Sequence, residues 1–474
     1  MTTILPSATL SPVTPAFVAA LRRSFAGELF EPGDDGYEQA RLIWNGAITR
    51  RPGLIARCSG TADVLATVRA AREHGILTAI RGGGHNVAGN ALCEGGVVLD
   101  LSALRGVRVD PVARLARVQA GVLIGALDRE TQAFGLACPA GIVTETGVAG
   151  LTLGGGIGWL MRKWGLTCDN LRSADVVTAD GQAVTASRAD HDELFWALRG
   201  GGGNFGVVTS FEFDAHPLGP QVLAGLVLYP AERAEQVLRA YRDHLTDAPD
   251  ELCTGLSLRI APVAPYLPAS VHGRPVVGVP VLYAGPPAAG ERVVAPMRAL
   301  AGPPLVDLVG PTTFAVHQSL FDRSVPAGLG YHWKSHYLPP LTDAAIATLV
   351  EWAWRLPCAS CYTILFHLGG AVARPDPADA AFEDRTAEHA LNVNAVWQPG
   401  EDPDPHIEWA RELWSAMAPH ATGGVYVNFL GSEGEERVRA AYGPGKLARL
   451  AAVKARYDPT NFFRVNQNIA PGAP

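Results

Sequence analysis

Positive charge is in short supply in this 474-residue chain: 39 Lys and Arg stand against 46 Asp and Glu, a formal net charge of −7. A surface that tracks phosphates along a nucleic acid needs clustered Lys and Arg, so no nucleic-acid partner is expected. Long apolar runs are missing as well, and no segment approaches the uninterrupted length of a membrane span. Residues 1–20 mix Pro6, Ser11, Pro12 and Pro15 with short apolar groups, without the basic stretch and apolar core of a secretory signal. Cysteine is sparse and odd in number, seven residues without a framework, which fits a reducing compartment better than a disulfide scaffold. Cys358 and Cys361 have the spacing of a redox or metal pair, but no second pair completes a zinc site, so they read as structural and no metal is expected. The expectation is a cytoplasmic protein, monomer or homodimer, whose partners are small molecules.

Glycine is abundant, 52 residues, and it gathers in three places. The first is Arg81, Gly82, Gly83, Gly84, His85 and Asn86, followed by Gly89 and Asn90. Glycines give the positive φ values and close backbone approach that let N–H groups converge on a phosphate, with Arg81 adding charge at the edge. His85 at the rim could then face a cofactor. The second runs through Gly147, Val148, Ala149 and Gly150 to Gly154, Gly155, Gly156, Ile157 and Gly158. The third, Arg199 to Gly203, leads through Asn204 into a strand-like alternation beginning at Val207. Any one of them could be a turn. Three together suggest one extended anionic ligand wrapped by several loops.

Around these loops the rhythm is mixed. Val64, Leu65, Val68 and Ala71 recur at helical spacing and Gly75 is placed to end that helix; strands are expected at 76–80 and 97–101, then at 107–109 and 115–119. No segment supplies the Gly-x-Gly-x-x-Gly set with its later acidic residue, so the class is α+β rather than a Rossmann unit. From about residue 217 to 420, strand-like runs at 255–260, 276–283, 332–338 and 362–368 alternate with helices at 231–245 and 343–355. This predicts an antiparallel sheet with helices on one face. In the last of these strands Thr363, Leu365 and His367 share one face, and Ile364, Phe366 and Leu368 the other. The apolar face is expected on the helices and the first face on a cavity, which makes His367 an acid–base candidate. In 332–338, Trp333, Ser335 and Tyr337 lie opposite Lys334 and His336. Tyr426 and Asn428, two apart, are expected on one strand face.

In this order, the three glycine systems resemble the FAD-binding domain of the vanillyl-alcohol-oxidase/berberine-bridge-enzyme-like superfamily, the PCMH-type FAD fold. The run from Tyr457 through Asp458, Pro459, Asn466 and Asn468 to Ile469, with Tyr426 and Asn428 before it, resembles that family's C-terminal berberine-bridge-like segment. The resemblance implies an FAD-binding domain of two α/β subdomains at 1–216, a substrate domain at 217–418 and a C-terminal segment at 419–474 returning to the FAD domain. It implies FAD joined covalently to His85 and bound by Arg81, Gly82, Gly83, Gly84, Asn86, Gly89, Asn90, Thr144, Gly147, Gly150, Gly154, Gly155, Gly158, Val207, Asn466 and Asn468. Many relatives add a cysteinyl link in a Gly-x-Cys-Pro-x-Val-Gly motif. Here Val143 takes the cysteine's place, so no such link is expected, and Cys138 reads as a buried apolar residue. This resembles the single-histidine subgroup similar to 6-hydroxy-D-nicotine oxidase and the enterocin-pathway flavin oxygenase. In the oxygenating relatives a threonine matching Thr146 helps shape a dioxygen pocket; alternatively Thr146 bonds local backbone. Tyr426, His367, Thr146 and Asn428 are the catalytic candidates. The implied function is an FAD-dependent oxidase or monooxygenase that uses dioxygen on a small organic substrate, in specialised metabolism. The alternative is a flavin-bearing, drug-binding resistance protein without rapid turnover.

Overall fold

The computed structural model describes residues 11–472, so half of the N-terminal stretch weighed as a signal lies outside the described residues. Four short strands make the first sheet, in the order Glu28–Phe30, Leu54–Arg57, Val97–Asp100, Thr78–Arg81. The last three run parallel, because the helix Thr61–Glu73 carries the chain from Leu54–Arg57 across to Thr78–Arg81. Gly75, at φ 65°, ends that helix in the left-handed conformation a C-terminal turn requires. A second sheet is antiparallel, ordered Val107–Asp110, Leu115–Gln119, Val207–Asp214, Leu171–Val177, Ala183–Ser187. One apolar core joins both sheets with the helices Ile124–Gln132 and Asp192–Leu198.

The third unit is an eight-stranded antiparallel sheet. Its order is Val306–Asp307, Gln221–Pro230, Pro275–Tyr283, Leu252–Ile260, Tyr362–His367, His389–Trp397, Gly330–Leu338, with Gly310–Thr313 also pairing Gln221–Pro230. Three helices, Ala234–Leu245, Asp343–Ala353 and Asp404–Met417, cover one face and bury Leu238, Tyr241, Leu349, Trp409 and Leu413 against Leu256, Val279, Leu365 and Val393. The other face packs Tyr362, Ile364 and Phe366 with Trp44, Val143, Ile157 and Tyr426 of the glycine-rich unit. The expected faces of Tyr362–His367 are therefore reversed. Thr363, Leu365 and His367 point away from the interface, and both faces are buried. Polarity cannot tell two buried faces apart, and here the cavity side is the more apolar one.

The C-terminal segment returns to the first core. The helix Glu435–Tyr457 bends at Gly443 (φ 64°) and Pro444, and Val438, Tyr442, Leu450 and Val453 pack there with Phe463 and Ile469. Lys454 and Asp458 form a fully buried ion pair at 2.6 Å. Such a pair is tolerable only when its remaining valences are filled. The Lys454 ammonium donates to the carbonyls of Asn204 (2.7 Å) and Phe463 (2.8 Å), and Asp458 accepts from the N–H groups of Phe462 and Phe463. One ion pair thus ties the Asp458–Phe463 turn to the third glycine loop. Tyr426 and Asn428 do not sit on a strand: Val427–Phe429 is a 3₁₀ turn.

Candidate active site

A cavity of about 310 Å³ lies between the glycine loops, which form its floor, and the free face of the large sheet, its roof. Floor and roof are built differently. In the floor, Gly83 and Gly147 cross backbone to backbone: a Cβ on Gly83 would stand 2.6 Å from the Cα of Gly147, and one on Gly147 would stand 2.5 Å from the nitrogen of Gly83. At Gly150 and Gly203 a Cβ would meet nothing within 4 Å, leaving bare main chain toward the cavity. Gly82, Gly83, Gly84, Gly147, Gly202 and Gly206 line it as well. Bare main chain of this kind can approach and hydrogen-bond an extended anionic group. Asn466 braces the third loop by donating to the Gly203 carbonyl at 3.1 Å.

His85 stands at one end of the floor. Its ring stacks on Trp44, centroids 4.2 Å apart, and Trp44 stacks on Tyr331 of the roof at 3.8 Å. The Nε2 atom is buried without a hydrogen-bond partner. Loss of solvent pushes the imidazole down to about 4, so it is neutral at pH 7. Val143 and Thr146 line the cavity too. A neutral imidazole with an unsatisfied nitrogen, beside bare glycine backbone, fits a flavin dinucleotide.

The other cofactor-binding candidates separate into two groups. Asn86 and Asn90 line the cavity and bond each other, the Asn86 amide oxygen accepting from the Asn90 N–H at 3.2 Å. Arg81 does not reach the cavity: its guanidinium donates to the Ala40 carbonyl and faces Asp100. Thr144 is also outside, its N–H and hydroxyl both donating to Asp322, at 2.9 and 2.6 Å. Gly89, Gly154, Gly155 and Gly158 are glycines for packing. A Cβ there would strike Ile48, Asn428, Phe382 and the Ala140 carbonyl. Val207 turns into the core while its neighbours Gly206 and Val208 line the cavity, and Asn468 lies beyond the lining.

Among the catalytic candidates, Tyr426 and Asn428 line the cavity. The Tyr426 hydroxyl oxygen accepts from the Gly156 N–H and the Asn428 amide, each at 2.8 Å, and more loosely from the Ile157 N–H at 3.4 Å. Burial raises this phenol to about 12 despite those donors, so it stays protonated at neutral pH. A protonated phenol can donate a hydrogen bond but cannot take up a proton. His367 lies off the cavity, with Nε2 3.3 Å from the Arg162 guanidinium and its ring beside His389. Burial first, then the Arg162 charge, hold it well below the ordinary histidine range.

Sequence reading missed much of the roof. Ser257, Arg259, Tyr362, Ile364, Phe366, Asn392 and Asn394 face the cavity, as does Trp333. All but Phe366 stand in two cross-strand rows, Arg259–Tyr362–Asn394–Trp333 and Ser257–Ile364–Asn392. Alternation could have paired them; only the packing shows which set faces inward. Trp44 offered no signal at all. Away from the cavity, Cys358 and Cys361 are joined by His406. The two sulfurs are 3.6 Å apart, and the Cys361 sulfur is 3.6 Å from the His406 Nδ1. No described helix is long and apolar enough to cross a membrane.

Comparison with known proteins agrees with this architecture. Residues 52–187 match the family described as "FAD binding domain", and residues 425–470 the one described as "Berberine and berberine like". The chain is 33% identical to (R)-6-hydroxynicotine oxidase of Paenarthrobacter nicotinovorans over 94% of its own length and 97% of the relative's. It is 31% identical to an FAD-linked oxidoreductase of Dictyostelium discoideum, covering 94% and 95%. The crystal structure of 6-hydroxy-D-nicotine oxidase from Arthrobacter nicotinovorans superimposes with a TM-score of 0.86 at 30% identity, covering 95% of this chain and 99% of that one.

Proposed function

The chain belongs to the FAD-linked oxidoreductases that join an FAD-binding domain to a berberine-like C-terminal segment, and within that family we propose a single-tether, dioxygen-using enzyme acting on a small organic molecule. In this reading residues 1–216 and 419–474 hold the cofactor and 217–418 hold the substrate. The chemistry that FAD supplies when bound is two-electron acceptance from a C–H bond and return of those electrons to dioxygen. The observation that carries the proposal is His85, neutral and unpartnered at Nε2, facing a cavity in which Val143 leaves no thiol for a second link.

Within this reading the glycine backbone holds the pyrophosphate, and Trp44 fixes the plane of His85. Tyr426 keeps the Gly156 turn and Asn428 in register through the bonds it accepts. Trp333, Ile364 and Phe366 exclude water above the reacting carbon. The substrate C–H bond stands next to oxygen or nitrogen, and its cleavage as hydride leaves one proton to be taken up. Among the described residues no Asp, Glu or Lys lines the cavity, and its phenols are protonated, so the proton passes to solvent. Tyr362, like Tyr426, is raised by burial to about 12, the adjacent Arg259 charge opposing that rise, so it stays protonated and serves to hold the substrate by hydrogen bonding. Thr146 in the lining is compatible with either fate of dioxygen, peroxide release or transfer to substrate. The binding-only alternative is not favoured, since the relatives are named as oxidases and oxidoreductases.

The test is denaturation in acid followed by an assay for peroxide. The wild-type protein gives a yellow pellet and consumes dioxygen on turnover, whereas His85→Ala gives a colourless pellet. A yellow pellet from His85→Ala would overturn the tether.

A further inference from the structure

The roof carries a charge that the protein leaves unanswered. Among the described residues, Arg259 is the only one with a formal charge in a cavity lining without Asp, Glu or Lys, His85 being neutral. Two other interior arginines are provided for. Arg385 pairs with Asp169 at 2.6 Å, and Arg162 donates to the carbonyls of Leu252 (2.8 Å) and Ala248 (3.2 Å). Among the described residues, the Arg259 side chain makes no ion pair or hydrogen bond, and its Nε is buried without a partner. Its guanidinium lies over the Tyr362 ring, 4.9 Å from the centroid, and the ionisable groups facing it are the phenols of Tyr362 and Tyr266. A half-buried guanidinium that faces a cavity with no counter-charge is a ready partner for an anion that a ligand brings.

Its place in the sheet says which part of a ligand it meets. Arg259 and Trp333 end the same cross-strand row, three strand spacings or about 14 Å apart. Trp333, like Tyr331, packs on Trp44, the support of His85. Arg259 therefore stands at the far side of the roof from the tether, on the sheet and not among the glycine loops that suit a pyrophosphate.

Resting on the reading of this cavity as a flavin-dependent substrate site, we infer that the substrate carries an anionic group of carboxylate type, held by Arg259. A planar carboxylate matches the guanidinium fork and leaves the rest of the substrate between Tyr362, Ile364, Phe366 and Trp333. Asn392, whose buried Nδ2 also lacks a partner, offers a second donor for a neutral oxygen of the same molecule.

Benzoate and benzamide, equal in shape and unlike in charge, make the test. Binding to the purified holoprotein is followed by perturbation of the flavin spectrum and, separately, by quenching of tryptophan fluorescence, since Trp44 and Trp333 line the cavity. Benzoate is expected to bind about tenfold to a hundredfold more tightly than benzamide. Arg259→Met abolishes that preference without weakening benzamide, and Arg259→Lys restores part of it. Equal binding of the two probes, or an unchanged preference in Arg259→Met, overturns the inference. So does an Arg259→Met variant that shifts only the flavin's midpoint potential, because the charge would then serve the cofactor. If the protein proves to hold no flavin, the parent reading fails, and the tryptophan signal still decides whether Arg259 selects the anion.

Discussion

The floor and the roof of the cavity recognise by different means. The floor works with main chain: Gly83 and Gly147 meet without side chains between them, and Gly150 and Gly203 present bare backbone. A residue that must be glycine is visible in a sequence, and a cluster of such residues announces a ligand. The roof works with side chains whose direction depends on strand register, and in Tyr362–His367 both faces are buried. There the same residues admit two readings, and polarity chooses the wrong one. The general lesson is that sites built of backbone are legible from composition, whereas sites built on a sheet buried on both faces are not.

The largest expected effect breaks the floor. Gly83→Val sets carbon atoms where the Gly147 backbone lies, and it should cost about 3 kcal/mol or more and empty the protein of flavin, read as visible absorbance per unit protein. Retention of full flavin content would show that the crossing of the two loops is not what shapes the floor.

The next tests the two faces of the roof against each other. Leu365→Ala removes a side chain from the helix-covered core and should lower stability by about 2–5 kcal/mol with little change in substrate affinity. Ile364→Ala should do the reverse, raising KM more than it lowers the unfolding midpoint. Exchange of these outcomes would restore the orientation that polarity alone suggests.

Acid should weaken the roof more than the floor. Burial holds His317 at about 3 and His332, His336 and His389 at about 4 in the region of the large sheet, against His85 at about 4 in the floor. The unfolded chain takes up these protons near pH 6.5, before the folded one does. Stability therefore falls as pH drops from about 6.5 through 4. Urea midpoints at several pH values would check the slope, and a flat profile across that window would contradict the burial of these rings.

The smallest effect concerns His367. Away from the cavity and beside Arg162, it should tolerate His367→Gln with kcat/KM within about twofold and an unchanged pH profile. Loss of one limb of the profile would return it to the chemistry.

Composition and spacing by themselves determined the α+β class, the three glycine systems, His85 at the rim of the first and the valine at Val143. All of these are matters of which residue type is present, and backbone sites depend on residue type. The run from Tyr457 to Ile469 stood out only by its resemblance to a berberine-bridge-like segment, and Lys454 and Asn204 had to be brought together before its buried ion pair could be seen. Tertiary structure alone decided that Arg81 and Thr144 serve the scaffold, that Trp44 stacks on His85, and that Arg259 faces the cavity while His367 does not. Those assignments turn on strand register and on partners distant in sequence. A one-residue change of face exchanges every side chain a ligand meets, and alternation along a strand carries no sign of which face is which when both are buried.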